Sequence, residues 1–219
     1  MELLMPMSNA LHLPTVLHFA GAIEPLRVLD VGVGLGTYGF LLRQYLDIGY
    51  QRLAREDWKM TIDGIEIFQG YRNAVWEYAY DQIWIGDIRQ RIGTLGRYDL
   101  VLCNDVLEHF EKREAKSLFR TLLKMAGTVI ATTPNREFPQ GAWAGNEAET
   151  HHSLLAIEDF DSLVAWKQTG VTNCYVCSDF PPHRKLIQLA AATCPTWVRP
   201  SRLSRILMRL GFGEAHCRI

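Results

Sequence analysis

Two kinds of apolar spacing alternate along this chain: short runs that are apolar almost throughout, and longer stretches whose apolar residues recur every three or four positions. Residues 27–31 (RVLDV) form a β-rich run that leads into glycines, and residues 37–46 beyond them have helical character. Residues 61–67 (TIDGIEI) predict a second strand, followed by a helix over 70–80 with Val75, Tyr78 and Ala79 on one stripe. The polar segment between them, 48–59, reads as an inserted loop. A third strand over 82–85 is closed by Gly86 and Asp87. The run YDLVLC at 98–103 is what a strand buried on both faces of a parallel sheet requires. The clearest helix is 111–125, with Ala115, Leu118, Phe119, Leu122 and Leu123 at helical spacing. A fifth strand over 127–133 (GTVIATT) stops at Pro134, and a long polar loop follows to residue 153. A helix is predicted over 158–167, then strands over 172–178 and 185–191. The link between those strands, Asp179-Phe180-Pro181-Pro182, is short and turn-rich enough for an antiparallel hairpin.

Strands alternating with helices make βαβ units and a sheet covered on both faces. The expected fold is therefore α/β, a three-layer sandwich around a seven-stranded, mostly parallel sheet whose last two strands form an antiparallel hairpin. Its ligands belong at the carboxyl ends of the strands. The expected domain covers residues 1–192. Residues 193–219 form a basic tail in which Arg202, Arg205 and Arg209 recur at helical spacing, and Gly211 and Gly213 end the pattern.

Composition adds constraints. The 219 residues are 48% hydrophobic and 21% charged, which suits one substantial soluble core. No apolar run reaches the roughly 18 residues of a membrane span. Met1 to Met7 lack a basic segment ahead of an apolar one, so the expected location is cytoplasmic. Five scattered cysteines fit reduced, buried thiols better than a disulfide framework. The net charge of −1 is uneven: from Pro181 onward seven basic residues face Glu214 alone, leaving a body of −7. An acidic body is a poor platform for nucleic acid, whereas the basic tail suits a peripheral membrane contact or an acidic partner.

The most informative segment is LDVGVGLGTYG at 29–39. Glycines between a strand and a helix let the backbone turn tightly and approach a ligand closely. Gly34-Leu-Gly36-Thr-Tyr-Gly39 also fits the dinucleotide pattern, which keeps an NAD(P)-dependent oxidoreductase in view. Charge separates the two readings. Asp30, just before the glycines, opposes a pyrophosphate but favours a ligand carrying an ammonium and a sulfonium. Glu66, ending the second strand, is placed to accept hydrogen bonds from ribose hydroxyls. Asp87, after the third strand, is placed to accept from an adenine amino group.

These segments, with IDGIE at 62–66, IGDI at 85–88 and YDLVLCNDVLEHF at 98–110, resemble the class I, Rossmann-like S-adenosylmethionine-dependent methyltransferases of the small-molecule type. The resemblance covers about residues 15–191 and implies S-adenosylmethionine as cofactor. It implies Asp30, Gly32, Gly34 and Gly36 around the methionine part and Glu66 at the ribose. It also implies Asp87 and Ile88 at the adenine, and Asn104 or Asp105 beside the amino group. The implied function is methyl transfer to a small molecule or to a glycan- or lipid-linked oxygen or nitrogen. A non-catalytic cofactor-binding subunit is a further alternative.

Candidate general bases are His109, after the fourth strand, and His151 or His152 in the long loop, with His152 favoured at the acceptor. Each could equally serve as a packing or solvated loop residue. No metal is expected: Asp105, Asn135 and Glu147 supply oxygens on neighbouring loops, but nothing in their spacing demands an ion. Cys174 and Cys177 stand three apart in a strand and so face opposite sides, as core thiols do. Asn104-Asp105-Val106-Leu107 lacks the prolines and aromatic of the segment used by amino-methylating DNA enzymes.

Overall fold

The structure, a computed structural model, describes residues 10–193. Seven strands form one sheet: β1 (Arg27–Val31), β2 (Thr61–Glu66), β3 (Gln82–Ile85), β4 (Tyr98–Asn104), β5 (Ala126–Pro134), β6 (Leu163–Thr169) and β7 (Thr172–Cys177). Their order is β3-β2-β1-β4-β5-β7-β6. The first five strands run parallel, and β7 is antiparallel to both β5 and β6. The chain reverses direction across the sheet between β1 and β4, so the carboxyl ends of these two strands border the crevice where an α/β sheet takes its ligand.

Alternating side chains divide the core in two. On one face Val28, Ile62, Leu100, Leu102, Ile130, Cys174 and Val176 pack with α1 (Leu13–Ile23), α2 (Thr37–Leu46), α3 (Ala74–Ala79) and α6 (Pro181–Thr193). On the other, Leu29, Val31, Ile65, Val101, Cys103 and Cys177 pack with α5 (Lys112–Met125). Helix α5 buries Ala115, Leu118, Phe119, Leu122 and Leu123, the stripe its sequence predicts. Cys174 and Cys177 fall in opposite layers and, with Cys103, are free buried thiols.

Two predicted elements are corrected. The segment expected as a helix over 158–167 contains most of β6, whose first four residues are all buried. A fully apolar start and the strand-favouring Val164, Trp166 and Thr169 outweigh its weak helical spacing. The segment expected as a strand over 185–191 lies inside α6. Pro181 and Pro182 open that helix, where proline needs no partner for a missing N–H, and Leu186, Leu189 and three alanines favour continuing it. The terminal hairpin exists, but one element earlier, as β6 and β7 joined around Gly170 (φ 61°).

Three further differences concern the edges. Helix α1, with Val16, Phe19, Ala20 and Ile23 buried at helical spacing, has no counterpart among the predicted elements. The helix expected over 70–80 is shorter and begins after Asn73, whose side chain accepts from Val75 N–H (2.7 Å). The insertion at 48–59 is ordered into two single turns, Ile48–Tyr50 and Arg55–Asp57. Its anchor is the fully buried Arg43, which donates to Ala79 O (2.9 Å), Met60 O (2.6 Å), Asp47 (2.9 Å) and Asp81 (2.6 Å). Asp47 in turn accepts from Arg52 and from Lys59 N–H, each at 2.9 Å.

Among the described residues no helix is long and apolar enough to cross a membrane. The predicted tail helix around Arg202, Arg205 and Arg209, with Cys194 and Cys217, lies outside the described residues.

Candidate active site

The turn after β1 is built on left-handed backbone. Gly32, Gly34 and Gly36 have φ of 76°, 53° and 88°, values that side chains resist. Space adds a second requirement at Gly32, where a Cβ would stand 2.4 Å from Val106 Cγ2. The glycine turn therefore touches the turn after β4. Gly32 N–H donates to Ile65 O (2.9 Å), and Gly34 N–H donates to Glu66 Oε2 (2.8 Å). The other oxygen of Glu66 accepts from Phe68 N–H (2.9 Å). Each oxygen retains a lone pair for a further donor, such as a hydroxyl. Burial raises the pKa of Glu66 despite these donors.

Asp30 is buried at the end of β1, where the Tyr80 hydroxyl donates to it at 2.5 Å and accepts from Gly39 N–H at 3.1 Å. Burial pushes the Asp30 carboxyl up to about 7, with Tyr80 opposing the shift and the charge of Glu66 adding to it. Tyr80 is a site residue that sequence reading missed. Its signal is the small Gly39, whose Cβ would collide with the phenol at 2.3 Å.

The end of β4 is short of partners. Both polar atoms of the Asn104 side chain are buried without a hydrogen bond, as are Asp105 Oδ2, Glu108 Oε2 and Ser153 Oγ. Asp105 has left-handed backbone (φ 53°) and accepts from Thr132 Oγ1 through Oδ1 (2.9 Å). Burial, then the charges of Asp105 and Glu149, holds the Glu108 carboxyl well above its ordinary pKa. Buried groups left unpaired are costly, and a ligand that pairs them removes the cost. An amide with both ends unpaired beside carboxylates fits the ammonium and carboxylate of an amino-acid end, and the carboxylates suit a sulfonium. The residues present therefore fit S-adenosylmethionine.

Asp87 caps α4 (Ile88–Arg91) through Arg89 N–H (2.8 Å), and both its oxygens accept from the Arg89 guanidinium, which holds its pKa low. An adenine amino group at this position would share the carboxylate with Arg89. Ile88 is buried in the layer that contains α5.

Residues 135–153 cross the carboxyl edge and are fastened at two places. At one, Tyr71 O–H donates to Glu149 Oε1 (2.7 Å) and Asn146 donates to the same oxygen (3.1 Å). At the other, His152 N–H and Ser153 N–H both donate to Glu108 O (2.8 and 3.1 Å). This docking brings the His151 ring to 5.0 Å from the His109 ring, while His109 Nδ1 lies 3.2 Å from Thr150 O. The ring of His152 points elsewhere: it is 46% exposed and 4.0 Å from Glu111. Of the two loop histidines, the structure groups His151 with His109, whereas sequence reading favours His152. Asn135 turns to Gly170 O (3.0 Å) and Glu147 is exposed. His12 is buried, with Nε2 at 2.6 Å from Thr172 Oγ1.

The comparisons with known proteins agree with this geometry. The family model described as "Methyltransferase domain" matches residues 10–212. No curated protein sequence matches the chain. Among solved structures, the bifunctional kinase-methyltransferase WbdD is similar, with TM-score 0.56 and 20% identity over 78% of this chain and 39% of that one. The chain thus spans about two fifths of that protein's length. The methyltransferase domain of a bacterial Hen1 is similar at TM-score 0.53, with 16% identity over 76% of this chain and 97% of that one. Magnesium protoporphyrin IX methyltransferase from Synechocystis PCC 6803, solved with bound SAH, follows at TM-score 0.50, with 17% identity over 74% of this chain and 80% of that one. These likenesses show the fold; the family match extends over nearly all of the 219 residues. The chain belongs to the methyltransferase-domain family.

Proposed function

We propose that the methyl acceptor is a hydroxyl oxygen on a small molecule or on a glycan- or lipid-linked compound. Bound S-adenosylmethionine supplies a methyl group already on a good leaving group, so the chain's own task is to align the acceptor and handle its proton. A neutral amine is nucleophilic without help, whereas a hydroxyl must lose a proton. The observation that carries the reading is the grouping of Glu108, His109 and His151 at the end of β4, under the same loop that borders the cofactor hollow. Such groups are unnecessary for an amine and useful for a hydroxyl.

Charge supports the acceptor class. The body of −7 offers no basic face for a polynucleotide, and the basic residues beyond 193 suit an anionic carrier or membrane surface. The test is incubation of the enzyme and methyl-labelled cofactor with parallel sets of hydroxyl-bearing and amine-bearing compounds, followed by mass analysis. Methyl ethers are the expected products. Label confined to N-methyl products would contradict the proposal.

A further inference from the structure

Glu108, His109 and His151 each present one donor atom to the others, and the three atoms lie within 4.8 Å of one another. Two come from the turn after β4 and the third from the loop over the carboxyl edge, so the group exists only because that loop is docked.

Both histidines are held in a definite tautomer. His109 Nδ1 faces Thr150 O at 3.2 Å, and His151 Nδ1 faces Phe138 O at 2.7 Å. A carbonyl oxygen only accepts, so each Nδ1 carries the hydrogen, and each Nε2 keeps its lone pair. An imidazole whose far nitrogen donates to a backbone carbonyl has the outer support characteristic of a metal ligand.

The carboxylate donor is unsatisfied. Glu108 is buried, and its Oε2 has no hydrogen-bond partner; Asp105 Oδ2 is in the same condition. The charges of Asp105 and Glu149 both bear on Glu108, and Asp105 and Glu149 bear on His151. Several carboxylates held together out of water repel one another, and a bound cation reverses the sign of that interaction. Two imidazole nitrogens with a carboxylate oxygen suit a divalent transition-metal ion such as iron or zinc, and manganese through the carboxylate, better than the all-oxygen shells of calcium or magnesium.

We propose that Glu108, His109 and His151, with Asp105 beside them, bind one divalent transition-metal ion, and that this ion receives the acceptor hydroxyl. The second clause rests on the hydroxyl reading above; the first stands without it. On the metal the hydroxyl becomes more acidic and gives its proton to water. Its oxygen then attacks the methyl carbon as the S–C bond breaks, forming one C–O bond and leaving a neutral thioether. The ion keeps its charge throughout, so no oxidant or reductant enters.

The test is titration of the metal-stripped full chain with Mn2+ and, separately, Zn2+, read by calorimetry and by electron paramagnetic resonance of the manganese form. The expected result is one ion per chain, with nitrogen hyperfine coupling in the resonance spectrum. Glu108→Gln, His109→Ala and His151→Ala should each weaken binding by roughly 10–100-fold or more, while His152→Ala leaves it unchanged. The spectrum of the unaltered protein needs no variant, so a misfolded variant does not spoil the test. A solvated manganese signal without nitrogen coupling, or affinity indifferent to His151→Ala and Glu108→Gln in folded protein, would overturn the site. If the site binds metal but the product proves to be N-methylated, the hydroxyl clause falls and the metal clause stands.

Discussion

Gly34 N–H donates to Glu66 Oε2 at 2.8 Å, so one carboxylate joins the turn after β1 to the end of β2. The bond spans 32 residues of sequence and pairs the backbone of the glycine turn with the carboxylate that the family resemblance assigns to the ribose. Removing the side chain should therefore act on binding twice, through the lost ribose acceptor and through a loosened turn. Glu66→Ala is predicted to weaken S-adenosylmethionine binding at least about tenfold, since a lost charged hydrogen bond costs roughly 1.5–3 kcal/mol. Calorimetric titration checks this, and circular dichroism should show the fold retained.

Gly32 should not tolerate a methyl group. Its positive φ opposes Gly32→Ala, and so does Val106, whose Cγ2 lies 2.4 Å from where the new methyl would stand. The expected cost is about 1–3 kcal/mol of stability, with cofactor affinity reduced because the glycine turn must move. Denaturant unfolding and titration of the same preparation measure the two effects separately.

Asp30 makes a pH prediction with a definite sign. Its carboxyl is raised to about 7, so between the ordinary carboxylate range and pH 7 the folded chain without ligand holds a proton that the unfolded chain has lost. Stability from this group is full below the unfolded pKa and declines as pH rises through about 7. Binding a cationic cofactor favours the ionised carboxylate, so affinity should rise over the same window. Asp30→Asn should flatten both profiles, and Tyr80→Phe should move the midpoint upward by removing the donor that stabilises the charge. Thermal unfolding and titration from about pH 5.5 to about 8.5 bracket the transition.

Arg43 tests the scaffold apart from the site. Its guanidinium is buried and every nitrogen donates, to two carboxylates and two carbonyls. Arg43→Ala strips the buried Asp47 of one of its two guanidinium partners and Ala79 O and Met60 O of their donor, and should destabilise the domain by about 3 kcal/mol. A folded variant stable to within measurement error of the parent would contradict this account of the 48–59 insertion.

What the sequence reveals of this fold follows from how local each signal is. The ranges of β1 and β3 coincide with their apolar runs, and the stripe of α5 is buried as its spacing predicts. The glycine turn is legible because positive φ at Gly32, Gly34 and Gly36 demands those residues. The two terminal elements exchange types because a short apolar segment such as LVAW has the same pattern whether it fills a strand or a buried helix turn. The remaining site features are long-range pairings. Tyr80 with Asp30, Tyr71 with Glu149 and His151 with His109 are separated by 50, 78 and 42 positions, and no periodicity encodes them. His151 and His152 are neighbours in sequence, and only the docking of the loop on Glu108 decides which ring faces the site.

The most direct test of the whole account is paired calorimetric titration of the metal-free chain with S-adenosylmethionine and with NAD at the same ionic strength. Carboxylates at 30 and 66 around a glycine turn predict stoichiometric binding of the sulfonium compound and no saturable binding of the dinucleotide. Tighter binding of NAD would contradict the claim that this hollow is built for a cationic adenosine ligand.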